Sequence, residues 1–126
     1  MIYINNNKIA IIDDDPAIVE IYKKKLEEEE FVVFIARDGE EGIRMIRENK
    51  PDLALVDLCM PGKDGAELMD EIRKDNSISR TRIIILTNSD DMETVEKIKK
   101  FNANFYIVKA LTTPQKVVDM VKEALV

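Results

Sequence analysis

Five polar positions in this chain have side chains suited to chemistry and follow short apolar runs. Asp13 and Asp14 come after Ile9-Ala10-Ile11-Ile12, and Asp57 comes after Leu53-Ala54-Leu55-Val56. Thr87 follows Ile83-Ile84-Ile85-Leu86, and Lys109 follows Phe105-Tyr106-Ile107-Val108. Three carboxylates held within a few ångströms repel, so one takes up a proton unless a cation is present. An all-oxygen donor set without imidazole or paired thiolates suits a hard cation such as Mg²⁺. One carboxylate can then attack phosphorus as a nucleophile. The charge on a transferring phosphoryl group is met by the metal, by Lys109 and by the Thr87 hydroxyl. Such a reaction needs no general base, because a carboxylate is ionised near neutral pH.

Taken singly, each position has a plainer reading. An Asp-Asp-Asp run before a helix is usually a cap, Asp57 alone suits a turn, Thr87 suits a cap and Lys109 suits a surface. Their joint placement at strand ends decides the matter, since ligands bind at the carboxyl edge of an open parallel sheet.

The elements that must position them are legible as five strand–helix units. The first strand runs Ile9–Ile12, and Asp13-Asp14-Asp15-Pro16 opens a helix, with an acidic cap and Pro in the first turn. Ile18, Ile21, Tyr22 and Leu26 recur on its apolar face. The second strand is Phe31–Ile35. Asp38 and Glu41 form a capping box for a helix carrying Ile43 and Ile46, closed by Pro51. After the third strand, a loop marked by Pro61, Gly62 and Gly65 leads to a helix with Leu68, Met69 and Ile72. Ser89 or Asp90 caps the fourth helix, whose stripe is Met92, Val95 and Ile98. Thr113-Pro114 opens the last helix, with Val117, Val121 and Leu125 in line. Alternating strands and helices imply parallel pairing, and the continuously apolar strands imply cover on both faces. The expected architecture is a three-layer α/β/α sandwich around a five-stranded parallel sheet. Periodicity leaves the strand order open.

Composition narrows the function. At 126 residues, 45% hydrophobic and 35% charged, the chain is expected to form one domain over residues 1–126. No apolar stretch approaches the roughly 20 residues of a membrane span, and no secretory leader is expected at the start. A single cysteine, Cys59, suits the cytoplasm. Its thiolate is disfavoured beside acidic groups, so no reactive role is assigned to it. Histidine is absent, which excludes a Ser-His-Asp triad and a His-rich zinc site, and requires any phosphohistidine donor to be another molecule. The net charge of −6 argues against direct nucleic-acid binding, and the Lys clusters at Lys23–Lys25 and Lys97–Lys100 read as solvated helix faces.

Along its whole length the chain resembles the receiver domain of two-component response regulators, of the stand-alone chemotaxis-regulator type. The resemblance rests on residues 9–16, on residues 51–65 (Pro-Asp-Leu-Ala-Leu-Val-Asp-Leu-Cys-Met-Pro-Gly-Lys-Asp-Gly), on Ile83–Thr87 and on Tyr106–Lys109. It implies a flavodoxin-like (βα)₅ fold with strand order 2-1-3-4-5. It also implies that Asp57 is the phosphoacceptor. Asp14, Asp57 and the Cys59 backbone carbonyl would bind Mg²⁺ directly, and Asp13 mainly through water. Lys109 would pair with the acceptor carboxylate or the phosphoryl oxygens, and Thr87 would bond the phosphoryl group, its inward shift letting Tyr106 turn from exposed to buried. The implied donor is a histidine kinase or histidine phosphotransfer protein. The implied output is a protein partner bound through the fourth helix, fifth strand and fifth helix, with catalysis limited to self-phosphorylation and self-dephosphorylation.

Several positions depart from the family pattern. Ala110 stands where proline with a cis bond is usual, and a cis bond to a non-proline residue costs roughly 2.5–4 kcal/mol, so the Lys109–Ala110 bond is predicted trans. Asn88 replaces a small residue, and Cys59 and Ser89 lie where side chains tune access of water to the phosphoryl group. Two other readings stay open at this point: a phosphate-independent binding module, and a small aspartate-nucleophile phosphohydrolase in which Asp13 and Asp15 carry the chemistry.

Overall fold

The computed structural model describes residues 7–60, 64–89 and 91–126. Strands β1 (Lys8–Ile12), β2 (Val32–Ala36), β3 (Leu53–Asp57), β4 (Arg82–Thr87) and β5 (Phe105–Val108) alternate with helices. The helices are α1 (Pro16–Glu28), α2 (Gly39–Asn49), α3 (Gly65–Lys74), α4 (Met92–Lys99) and α5 (Pro114–Leu125). A 3₁₀ turn, Lys109–Leu111, follows β5. All strand pairs are parallel, in the order β2-β1-β3-β4-β5. The register sets Ile12 beside Val56, Asp57 beside Leu86 and Thr87 beside Val108, so the polar residues after these runs emerge at one edge.

Alternation along the strands divides the core in two. Ala10, Ile12, Ala54, Val56, Ile83 and Ile85 face α2 and α3 through Ile43, Ile46, Leu68, Met69 and Ile72. Ile9, Ile11, Leu53, Leu55, Ile84 and Leu86 face α1 and α5 through Val19, Tyr22, Leu26, Val117, Val118 and Val121. Burying both faces is why the central strands read as unbroken apolar runs.

The helix starts follow from their caps. Asp15 accepts from the N–H groups of Ala17 and Ile18, Asp38 from Glu41, Asp64 from Glu67 and Thr113 from Lys116. The Glu41 carboxylate reaches back to the amide of Arg37, one residue before the Asp38 position that a capping box predicts. At α4 the cap is Asp91, which accepts from the Thr94 amide at 2.8 Å, while the Ser89 hydroxyl donates to Asp91. The expected Ser89 cap is thus corrected to Asp91; Asp90, like Pro61, Gly62 and Lys63, lies outside the described residues. Asp91→Ala is expected to destabilise the fold by about 1 kcal/mol in urea denaturation.

Two expected apolar faces are corrected and a third is widened. In α1 the buried positions are Val19, Tyr22 and Leu26, while Ile21 is 50% exposed. In α4 only Ile98 is buried and Met92 is 83% exposed, because this helix lies lightly on the sheet. In α5 Val118 and Ala124 are buried beside Val117 and Val121, and Leu125 packs partly buried against the same cluster. The second strand starts at Val32, since Glu30 at φ 70° turns the chain and Phe31 donates its amide to Leu26 of α1. Phe31 therefore belongs to the closure of that helix.

Candidate functional site

Asp13 follows β1 and Asp57 ends β3, the neighbouring strand, so parallel pairing alone brings their carboxyl groups together. Asp13 is fully buried and Asp57 is 3% exposed, whereas Asp14 is exposed. Carboxylate oxygens of Asp13, Asp14 and Asp57 all lie within 4.8 Å of one another. Lys109, carried just past β5, places its Nζ 2.7 Å from Asp13 Oδ2 and 3.4 Å from Asp57 Oδ2. The short contact is a buried ion pair, and the Lys109 ammonium is the partner of the fully buried Asp13 Oδ2.

The remaining oxygens are held by backbone. Asp13 Oδ1 accepts from the Asp15 amide at 2.9 Å, and Asp57 Oδ1 accepts from the Cys59 amide at 3.1 Å. Burial and then the charge of Asp13 push the Asp57 carboxyl up to about 6, against the opposing pull of the Cys59 amide and Lys109. Burial would lower the Lys109 ammonium, but Asp13 and Asp57 outweigh it and hold it above the usual lysine range. One ammonium cannot balance three carboxylates, and a hard divalent cation suits an all-oxygen set whose members lie within 4.8 Å of one another. The residues present fit Mg²⁺.

Thr87 is 3% exposed at the end of β4, yet its hydroxyl is engaged. It donates to the Ser89 carbonyl at 2.9 Å and accepts from the Ser89 amide at 3.2 Å. Tyr106, on edge strand β5, is 39% exposed. Cys59 is exposed with a free thiol. The Lys109–Ala110 bond is trans, as expected from Ala110. Sequence reasoning brought no attention to Glu20 and Arg37, which with Asp13, Asp14, Pro16, Val19 and Ile35 line a cavity of about 130 Å³ beside the acids. Neither has a spacing signal, because each reads as an ordinary solvent-facing charge.

The β3–α3 connection depends on Gly65. A Cβ there would lie 2.3 Å from the Asp57 carbonyl oxygen and 2.7 Å from Leu58 Cα, both backbone. The Gly65 amide also donates to the Leu58 carbonyl at 3.1 Å. Gly65→Ala must displace the backbone that carries Asp57, and is expected to cost about 1–3 kcal/mol in denaturant unfolding. A stability within about 0.5 kcal/mol of wild type would contradict the close approach.

A family model, the response regulator receiver domain, matches residues 9–122. The chain belongs to that family. It is 34% identical over 103 residues to the "Probable C4-dicarboxylate response regulator DctR" of Priestia megaterium, a match covering 80% of this chain and 44% of the relative. The chain thus spans less than half the length of that relative. Among solved structures it resembles a CheY-like response regulator receiver domain protein from Methanospirillum hungatei JF-1. There the identity is 30%, the TM-score 0.87, and 96% of this chain and 94% of that one are covered. The chemotaxis protein CheY4 of Vibrio cholerae, at 23% identity and TM-score 0.88 over 96% and 100% of the two chains, shares the fold. Receiver domains are signalling domains, and among the described residues no helix is long and apolar enough to cross a membrane.

Proposed function

We propose that this chain is a phosphoacceptor switch that takes a phosphoryl group onto Asp57 from a phosphohistidine on a histidine kinase or histidine phosphotransfer protein. The observation that carries this reading is a buried carboxylate held beside two further acids and one ammonium at the carboxyl edge of the sheet. Asp14, Asp57 and the Cys59 carbonyl would hold Mg²⁺ directly, and Asp13 through water. The chemistry Mg²⁺ would supply there is neutralisation of charge on the phosphoryl oxygens and on the clustered carboxylates.

This chain's own groups do the rest. An Asp57 oxygen attacks phosphorus as the phosphorus–nitrogen bond to the donor imidazole breaks, and the imidazole nitrogen leaves with the electron pair. Lys109 stabilises charge on the phosphoryl oxygens, which requires it to loosen its contact with Asp13. Thr87 hydrogen-bonds the phosphoryl group only after its hydroxyl gives up the Ser89 carbonyl. That exchange would draw the β4–α4 connection inward and make room for Tyr106 to turn from its half-exposed position. The surface of α4, β5 and α5 then changes for a protein partner. The reading places the chain in the cytoplasm, as one receiver domain over residues 1–126, with self-phosphorylation and self-dephosphorylation as its only catalysis.

Incubation with acetyl phosphate and Mg²⁺, read by intact-protein mass spectrometry, tests it. The expected result is one added phosphoryl group, none without the metal and none in Asp57→Asn. An inert wild-type chain would turn the reading towards a phosphate-independent binding module. Steady turnover of phosphate esters without a modified protein would make it a phosphohydrolase.

A further inference from the structure

At the opposite, amino-terminal edge of the sheet, positive charge gathers on a protein whose net charge is −6. Arg82 begins β4, Arg80 lies two residues before it, and Lys50 precedes β3. All three are exposed, and among the described residues none of them has an ion pair or side-chain hydrogen bond. Arg73 of α3 stands behind them. Its guanidinium donates to the carbonyls of Ser79 at 2.8 Å, Thr81 at 3.0 Å, and Phe101 and Asn102 at 3.3 Å. These acceptors are neutral, so the part-buried Arg73 charge has no carboxylate partner among the described residues.

Two concavities flank this ridge. One, of about 430 Å³, is bounded by Arg73, Arg80, Arg82, Asn102 and Asn104. The other, of about 250 Å³, lies between Lys50, Ser77, Arg80 and Arg82. Arg80, Thr81 and Arg82 form their common wall. Among the described residues the one acid lining either hollow is Asp52, whose carboxylate already accepts from the Lys8 amide at 2.7 Å.

We propose that this double hollow docks an extended acidic peptide segment of a partner protein, with carboxylates on either side of the Arg80–Arg82 ridge. Two adjoining hollows suit a chain with spaced carboxylates better than one compact oxoanion. Arginine forks pair with carboxylates in a bidentate way, and Asn102, Asn104 and Ser77 offer polar groups beside them. The chain's own acidic run, Glu27–Glu30, is a poorer occupant in a second copy. Its first two residues are helical, and Glu29 is paired with Lys122 at 3.2 Å. Because the hollows and the acidic cluster lie at opposite edges, both can be occupied at once, so the contact would hold a partner whether or not Asp57 is modified.

The test is fluorescence anisotropy of a labelled hexaglutamate peptide with the full chain at low ionic strength. Global charge repels this probe, so saturable binding that weakens with added salt reports a local basic site. Arg80→Glu with Arg82→Glu is expected to reduce affinity at least about tenfold. Lys24→Glu with Lys25→Glu changes the net charge equally and should leave affinity within about twofold. If the first pair fails to fold by circular dichroism, Arg80→Gln with Arg82→Gln replaces it, with a smaller loss expected. No binding, or an equal loss in both pairs, overturns the proposal. So does displacement by an equal concentration of inorganic phosphate, which would mark a small-oxoanion site. Sedimentation showing self-association abolished by the Arg80/Arg82 change, without peptide binding, assigns the surface to a second copy and overturns it too.

Discussion

Asp57→Asn should make the metal-free protein more stable at neutral pH. The Asp57 carboxyl is 3% exposed and raised from 3.8 to about 6, chiefly by burial and next by Asp13. The native state therefore holds this proton more tightly than the unfolded chain does. That contribution is fully present below 3.8 and is lost as pH rises through about 6. A shift of this size corresponds to roughly 3 kcal/mol, so the variant's advantage over wild type should open by about that much between pH 4 and pH 7. Asparagine preserves the shape and removes the buried charge. Mg²⁺ at a hundredfold its dissociation constant stabilises wild type by about 2.7 kcal/mol and should nearly close the gap. Urea denaturation at several pH values, with and without Mg²⁺, reads all of this. A variant no more stable than wild type at pH 7 without metal would show that the acids do not crowd one another.

Lys109→Ala should move stability the other way, by about 3–5 kcal/mol in metal-free buffer at pH 8, because it leaves buried Asp13 and Asp57 without their cation. The loss should shrink towards pH 5 as Asp57 takes up its proton. It should also shrink in Mg²⁺, since a divalent ion replaces the missing charge. Phosphoryl incorporation from acetyl phosphate should nonetheless fall, because the metal does not supply the ammonium that faces the transferred oxygens. Stability that is independent of both pH and metal would mean that Lys109 acts by packing alone. The opposite signs of these two substitutions come from one arrangement, an excess of carboxylate over ammonium with Asp13 and Asp57 buried.

Much of this was readable in the residues. The apolar runs and their lengths gave all five strands to within a residue or so, and Asp-Pro and Thr-Pro gave two helix starts. The acids, hydroxyl and ammonium fell at strand ends, where a parallel sheet gathers them. The helix faces were less legible. Ile18 and Ile21 compete with Val19 in α1, and spacing alone cannot choose between two registers that differ by one residue. Contact with α5 and the sheet buries Val19 and leaves Ile21 in water. Met92 reads as core but is exposed, because α4 rests on the sheet by little more than Ile98.

By itself the sequence determined the kind of chemistry available, since side-chain identity sets which groups can ligate a hard cation or attack phosphorus. It also determined the alternation of elements, since periodicity is a local property. Only the tertiary structure decided that Asp13 is buried while adjacent Asp14 is exposed, and that Lys109 sits between two carboxylates. It decided too that Gly65 presses against the backbone of Asp57, and that Arg73, Arg80 and Arg82 share a wall at the far edge. The reason is physical: burial, charge coupling and close approach depend on distances between segments far apart in the chain, and strand order sets those distances.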